Sequence, residues 1–239
     1  MKNIVEVVGG GGLQDEQSKV NLTIHQFAES LGNAIDAKDH CTCSHSEEVA
    51  VISQAIGVEM GLSAVKCELL HIAGHLHDIG KIGLPDSILK KSGKLTGEEY
   101  EIVKKHPVIG AEIVSPVVSV SGIDKVAGII LHHHERYDGQ GYPHGLRGEE
   151  IPFGARIIAV ADTLSAMASN RPYRDALPFQ DIIAEIDACS GSQFDPQVVQ
   201  AFMEISDKIE EYFINSQDIA EDILVCEITA MNERSALRI

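Results

Sequence analysis

Apolar residues recur at three- and four-residue spacing along most of the chain, which is the pattern of amphipathic helices. Val49, Ile52 and Ile56 share one helical face, and His45 falls on the same face. Alternation typical of strands is not found, and no internal repeat is visible, so the sequence predicts an all-α fold. Further helices are predicted around Leu70–His77, from Ser119 or Gly122 toward His132, and over Ala155–Ala168, Phe179–Asp187, Pro196–Asn215 and Asp218–Thr229.

Several polar residues mark the predicted helix ends. Ser44 with Glu47, and Thr96 with Glu99, have the spacing of a capping box, in which two side chains satisfy the free N–H groups that open a helix. Gly80 follows the helix that contains His77 and is expected to end it, since glycine is the usual residue after a helix C-terminus.

Proline residues give two more boundaries. Pro107 follows His106 directly, which predicts that the helix led by Thr96 ends or bends at His106. The stretch Tyr137–Pro152 is rich in glycine and proline and is predicted to be a loop.

Composition narrows the possible functions. The chain has 239 residues, 44% of them hydrophobic, and a formal net charge of −17. Such an acidic protein is not expected to bind a nucleic acid polymer or an anionic membrane, although a metal cluster can still attract a small anion. Five cysteines without paired spacing indicate reduced thiols, and the lack of a long apolar run predicts no membrane span. We therefore expect a cytoplasmic protein.

Histidine and aspartate residues supply the candidate chemistry. Asp162 lies within an apolar helical stretch, where a carboxylate needs a metal or an ion pair, and Arg156 is a possible partner. The pair His77 and Asp78 point about 100° apart on a helix, which suits two metal ions better than one. Imidazole with carboxylate favours Fe, Mn, Zn or Co over calcium.

A longer series of short motifs makes this picture specific. In order and spacing, the series resembles the HD-GYP family, a branch of the HD phosphohydrolases, over residues 23 to 205. The motifs are His77-Asp-Ile-Gly-Lys-Ile-Gly-Leu-Pro, Lys94-Leu-Thr, His106-Pro, His133-His-Glu, Asp138-Gly-Gln-Gly-Tyr-Pro, Val160-Ala-Asp, Arg171-Pro-Tyr-Arg and Phe194-Asp-Pro.

The resemblance implies a fold and an activity. It implies an HD-domain helical bundle with additional C-terminal helices, and a division into an N-terminal tail (1–20), a catalytic domain (21–205) and a C-terminal helical extension (206–239). It implies a bacterial signalling phosphodiesterase that hydrolyses cyclic di-GMP by a metal-bridging hydroxide. The alternatives are hydrolysis of another nucleotide, such as cyclic GMP-AMP, and a weakened module that binds metal, nucleotide and a signalling partner.

The resemblance also implies a metal centre. Two divalent ions are expected, with iron favoured and manganese as the alternative, and Asp78 is expected to bridge them. By resemblance, the ligands are His45, His77, Asp78, His106, His133, His134 and Asp162.

Basic and aromatic residues are implied for the substrate. Lys81 resembles the family lysine near the scissile phosphate, where it either stabilises charge, which we favour, or protonates the leaving group. Arg171 and Arg174 resemble the pair that holds phosphate, and Tyr142 belongs to the Gly-Tyr-Pro loop. This loop is a candidate contact for a second copy of the chain or a signalling protein.

Some positions depart from the family pattern. Cys41 stands where some members have a glutamate ligand for a third metal, so two metals are favoured here. Ser165 stands where the family usually has aspartate, which is expected to alter support for a metal ligand. His71 and His75 have the spacing of a metal pair but are predicted to be core residues, and His25 has no partner at recognisable spacing.

Overall fold

The described part of the protein is built from helices joined by short turns. A computed structural model describes residues 11–39, 44–117, 123–169 and 175–214, and no strand occurs within them beyond one isolated bridge between Ser190 and Phe194. The all-α prediction is confirmed. The helices are α1 (Gly11–Asp39), α2 (His45–Glu59), α3 (Ala64–Leu76), α4 (Asp86–Leu89), α5 (Gly97–Val103), α6 (His106–Val114), α7 (Ile123–His132), α8 (Phe153–Ala168), α9 (Phe179–Ala188) and α10 (Pro196–Ile214).

Helices α2 and α3 form the centre of the bundle. The predicted face of α2 is buried, with Val49, Ile52 and Ile56 fully enclosed among α3, α8 and α10. Gly74 allows these two helices to approach closely, because a Cβ atom there would lie 2.4 Å from the Cα atom of Ala50. The two helix backbones therefore touch, which brings the start of α2 next to the end of α3.

The two predicted capping boxes have different outcomes. Thr96 accepts a hydrogen bond from the Glu99 backbone N–H, and the Glu99 side chain accepts one from the Thr96 N–H, so this box is confirmed. The Ser44–Glu47 box is wrong, although α2 does begin after Ser44. Ser44 instead donates its hydroxyl hydrogen to Glu48 Oε1 at 3.0 Å.

The segments around Gly80 and His106 also differ from their prediction. Helix α3 ends before Gly80, which lies in a 3-10 turn, Ile79–Gly83, without a left-handed backbone. A Cβ atom on Gly80 would lie 1.9 Å from the His106 carbonyl oxygen, so glycine is needed for contact with α6 rather than as a cap. Helix α5 ends at Val103, and His106 opens α6, where Pro107 is tolerated because the first turn needs no N–H donors.

The C-terminal described helix is anchored in the core. Helix α10 begins at Pro196 as predicted and runs to Ile214, with Ile205, Ile209 and Tyr212 buried. It passes continuously through residues 205 and 206, and the division into 1–20, 21–205 and 206–239 stays a prediction. The predicted helix Asp218–Thr229 lies outside the described residues. Among those residues, no helix has the length and apolar character needed to span a membrane.

Candidate metal centre

Five separate elements converge on one buried site. His45 opens α2, His77 and Asp78 follow α3, His106 opens α6, His133 and His134 follow α7, and Asp162 lies within α8. Every one of the seven predicted ligands is brought into this site. They form two groups, in each of which one ligand atom per residue lies within 4.8 Å of the others: Asp78, His106, His133 and His134, and next to them His45, His77 and Asp162.

Asp78 lies between the two groups. Its Oδ1 atom is 3.2 Å from His106 Nε2, on the side of the first group. Its Oδ2 atom is 3.2 Å from His77 Nε2, on the side of the second. A carboxylate that turns one oxygen to each group has the arrangement needed to bridge two cations.

Asp162 anchors the second group. Its Oδ1 atom lies 3.3 Å from His45 Nε2 and 3.8 Å from His77 Nε2. The alternative ion pair with Arg156 is wrong, because Arg156 instead binds the buried Asp195 at 2.5 Å. The only basic side chains near Asp162 among the described ion pairs are thus imidazoles.

Backbone carbonyl groups orient three of the imidazoles. The Nδ1 atoms of His77, His106 and His133 lie 2.7, 2.8 and 2.6 Å from the carbonyl oxygens of Gly74, Val103 and Ile130. A carbonyl oxygen only accepts, so each Nδ1 carries a hydrogen. Nε2 is therefore the nitrogen that can bind a metal ion in each ring once it is unprotonated.

Ser165 and Glu48 orient the fourth imidazole. Ser165 donates its hydroxyl hydrogen to Glu48 Oε2 at 2.5 Å. Its oxygen must then accept from His45 Nδ1, which lies 2.8 Å away. All three residues are buried, and the chain His45–Ser165–Glu48 leaves His45 Nε2 facing Asp162. Glu48 was missed from the sequence, since nothing in its spacing relates it to Ser165.

Burial and charge set the protonation of most ligands. Burial lowers the pKa of His133 well below its usual range and that of His134 to about 4, so both rings are neutral, which is the form that binds metals. Burial opposes ionisation of Asp78, but Lys81 and His77 outweigh it and hold the pKa of that carboxyl well below its usual range. The pKa of Asp162 is also lowered, mainly by His45 and His77 against the effect of burial.

His77 provides the test of whether the site fits a metal. Burial lowers its pKa, but Asp78 and Asp162 outweigh burial and raise the pKa of His77 to about 9. Its Nε2 atom is nevertheless buried without a hydrogen-bond partner among the described residues. A cation at that position would replace the proton and satisfy the same carboxylates, so the donor set fits divalent metal ions.

Lys81 contacts the centre through Asp78. Its Nζ atom lies 2.7 Å from Asp78 Oδ2 and 2.5 Å from Asp39 Oδ2. Burial lowers the pKa of Lys81, but the two carboxylates outweigh it and raise the pKa above its usual range. Asp39, at the end of α1, was not singled out in the sequence because only the packing of α1 brings it to this site.

The predicted loop carries Tyr142 to the edge of the site. Its ring packs on His134 with centroids 4.9 Å apart, and Lys104 Nζ lies 5.9 Å from the same ring. Buried Glu135 holds the loop by accepting hydrogen bonds from the backbone N–H groups of His144 and Leu146. Glu135 thus shapes the loop. Arg171, Arg174 and Cys41 lie outside the described residues.

Several relatives named as cyclic dinucleotide phosphodiesterases match most of the chain. A cyclic di-GMP phosphodiesterase of Thermotoga maritima is 41% identical over 199 residues, covering 82% of this chain and 53% of the relative. The cyclic di-GMP phosphodiesterase response regulator RpfG of Xanthomonas campestris is 41% identical, covering 76% and 48%. A 3′3′-cGAMP-specific phosphodiesterase of Vibrio cholerae is 36% identical, covering 76% and 35%. The chain spans about half the length or less of these relatives.

Solved structures and a family match agree on the fold. The crystal structure of a cyclic GMP-AMP specific phosphodiesterase of V. cholerae has a TM-score of 0.65 at 21% identity, covering 84% of this chain and 53% of that one. An HD-GYP protein of Bdellovibrio bacteriovorus has a TM-score of 0.58 at 18% identity, covering 84% and 75%. The HD domain family matches residues 29–198. The resemblance predicted from the motifs is thus confirmed, and the chain belongs to the HD domain family.

Proposed function

We propose that the chain is a metal-dependent phosphodiesterase that hydrolyses a cyclic dinucleotide, with cyclic di-GMP as the first candidate. The observation that carries this proposal is the position of Asp78 between two groups of ligand atoms. Several relatives named for this activity support it, and relatives named for cyclic GMP-AMP support that nucleotide as the second candidate.

Two divalent cations suit the donor set. The seven proposed ligands are five imidazoles and two carboxylates, a combination that favours Fe, Mn, Zn or Co. When bound, two such ions would neutralise phosphate charge and lower the pKa of a bound water. We propose iron as the native metal and manganese as its substitute.

Lys81 is proposed to stabilise negative charge on the phosphate. It is held beside Asp78 at the edge of the site, and its raised pKa keeps it protonated at neutral pH. A group that holds its proton so firmly is a poor general acid, because efficient proton donors have a pKa near the working pH. The geometry therefore supports electrostatic stabilisation over donation to the leaving oxygen.

The residues around Tyr142 at the edge of the site are proposed to hold the nucleotide. Tyr142, Tyr100 and Lys104 lie together, with Lys104 Nζ 5.5 Å from the Tyr100 ring and 5.9 Å from the Tyr142 ring. Aromatic faces stack on nucleobases, and an ammonium group attracts phosphate. Arg171 and Arg174 stay proposed phosphate ligands on the strength of the motif alone.

A catalytically weakened binding module is the alternative. Ser165 favours it, because this side chain departs from the aspartate usual at its position. The connection from His45 through Ser165 to Glu48 argues against it, since the Ser165 hydroxyl group links His45 to the Glu48 carboxylate. In either case we propose that the Gly-Tyr-Pro loop (141–143) is the contact for a homodimer or signalling partner and that the protein acts in the cytoplasm.

The deciding experiment is an assay of the metal-loaded protein. Chain purified without oxygen is loaded with Fe(II) or Mn(II), incubated with cyclic di-GMP and analysed by chromatography. We expect a linear dinucleotide or mononucleotide, no product from Asp78→Ala, and unchanged turnover in Thr163→Val, whose hydroxyl bonds only to its own helix. Binding of the nucleotide without turnover, at full metal occupancy, would support the alternative, and a panel with cyclic GMP-AMP identifies the preferred base.

A further inference from the structure

A second group of histidines lies outside the centre described above. His25 on α1 packs against His71 and His75 on α3, and we call these three residues the histidine cluster. His71 and His75 are 1% and 3% exposed, while His25 is half-buried at the rim. Burial of two polar rings costs free energy unless they have hydrogen-bond or metal partners.

The rings of His71 and His75 have the geometry of a metal pair. They are four residues apart on one helix, as in zinc-binding helices. Their Nε2 atoms lie 3.0 Å apart with the rings inclined by 75°. Two nitrogen ligands at about 2.1 Å from one ion are separated by roughly 3.0 to 3.4 Å, so the observed spacing needs little adjustment.

Further donor atoms surround the pair. One ring nitrogen from each member of the cluster lies within 4.8 Å of the other two. Glu47 Oε2 lies 3.7 Å from His75 Nε2, and Glu68 Oε1 lies 3.5 Å from His25 Nδ1. His25, Glu47 and Glu68 have side chains 26%, 28% and 38% exposed, so an ion can enter from this side.

The buried His71 ring is in the form that binds metals. Burial lowers the pKa of His71 to about 3, and repulsion from His75 adds to the effect. This ring is therefore neutral at physiological pH. The carboxyl group of Glu68 has its pKa lowered by its contact with His25, which keeps a negative charge at the rim.

The cluster is separate from the centre around Asp78. His75 and His77 are two positions apart, so they project about 200° apart around the helix axis. His75 faces His25 on α1, whereas His77 faces Asp162 on α8. An ion held by the cluster would contact none of the seven ligands already described.

We propose that the histidine cluster is a second metal site, which holds one divalent transition metal of the zinc type. His71 and His75 bind through Nε2, Glu47 supplies an oxygen, and His25 completes the site. In the structure His25 stacks on His71, with centroids 4.6 Å apart and planes inclined by 17°, so its ring must turn to direct a nitrogen at the ion. In the hydrogen-bonded pair, one of the two Nε2 atoms carries the shared hydrogen. When the ion binds, that ring carries its hydrogen on Nδ1 instead, which frees Nε2 for the metal. The ion ties α1 to α2 and α3.

The test separates this site from the other centre. The full chain with Asp78→Ala and Asp162→Ala lacks a carboxylate in each of the two other groups. Co²⁺ is added to this double variant, and bound metal is measured by elemental analysis together with visible absorption. We expect one equivalent per chain, and Zn²⁺ is expected to displace it and raise Tm in a concentration-dependent way.

Variants of the cluster decide the outcome. His71→Gln or His75→Gln in that background is expected to weaken binding at least tenfold. His144→Gln, which changes a histidine that contacts His132 outside the cluster, is expected to leave binding unchanged. His25→Gln at the rim is the variant of choice if a buried substitution unfolds the chain, and the same weakening is expected. The proposal is overturned if the double variant binds no Co²⁺, or if binding survives all three cluster substitutions, in which case the rings form only a hydrogen-bonded pair.

Discussion

Replacing Ser165 by alanine tests how the His45 imidazole is held. The hydroxyl group accepts from His45 Nδ1 at 2.8 Å and donates to Glu48 Oε2 at 2.5 Å, and Ser165 is fully buried. Ser165→Ala removes both hydrogen bonds. His45 then loses the contact that fixes its tautomer and ring angle.

The size of the effect follows from these contacts. Loss of an outer partner of a metal-binding histidine weakens metal affinity by about 10- to 100-fold. The hydrogen bond to the Glu48 carboxylate contributes about 1.5 to 3 kcal/mol and an ordinary hydrogen bond contributes about 0.5 to 1.5 kcal/mol, so the free energy of unfolding should fall by about 2 to 4.5 kcal/mol. Thr163→Val is the matched control on the same helix, because the Thr163 hydroxyl bonds only to the Ala159 carbonyl group.

The assay is a titration of the metal-free chain with Mn²⁺, paired with chemical denaturation. Glu48→Gln should also weaken metal binding. The loss of binding free energy in the double variant with Ser165→Ala should be smaller than the sum of the two single losses, because both substitutions break the same connection. Ser165→Asp alone is expected to bind Mn²⁺ more weakly than Ser165→Asp combined with Glu48→Gln, since the single variant places two carboxylates next to each other. If Ser165→Ala binds Mn²⁺ within twofold of the parent chain, the connection does not support His45.

Three further outcomes follow from single positions. Asp78→Ala should lose turnover and bind fewer metal equivalents by elemental analysis, because it removes an oxygen from both ligand groups. Gly80→Ala should destabilise the chain by about 2 kcal/mol in denaturant titration, since its Cβ would meet the His106 carbonyl oxygen at 1.9 Å, whereas Gly93→Ala, with nothing within 4 Å, should be neutral. Burial lowers the pKa of His71 from 6.5 to about 3, so below pH 6.5 the unfolded chain binds more protons and the metal-free protein loses about 1.4 kcal/mol per pH unit from this group. His71→Gln should flatten that slope in denaturation curves, and an unchanged slope would contradict the assigned pKa.

Local patterns predicted the helices well because each signal acts within a few residues. The apolar face of α2 and the Thr96 box concern neighbours one turn apart. Gly80 was misread for the opposite reason. Its role depends on the carbonyl oxygen of His106, which lies 26 positions later and comes close only through packing. A glycine that permits close approach has the same local sequence signal as a glycine that ends a helix.

In the metal centre, too, some residues could be predicted from the sequence and others reach the site only through packing. The family resemblance implied all seven proposed ligands, because it carries tertiary information that spacing alone lacks. Asp39 and Glu48 have no such motif, and they reach the site only through the packing of α1 and α2. His25 has no partner at recognisable spacing in the sequence, and only the packing of α1 on α3 places it against His71.

Four imidazoles of the centre are held in two ways. His77 and His133 follow a helix, His106 opens α6 shortly after the end of α5, and each uses a carbonyl group three residues earlier, where the preceding helical turn leaves acceptors free. His45 is held by side chains instead, since its Nδ1 atom contacts the Ser165 hydroxyl group, which bonds in turn to Glu48. Backbone support cannot be removed by a side-chain substitution, so His45 is the imidazole whose orientation is most open to change by substituting one neighbouring side chain.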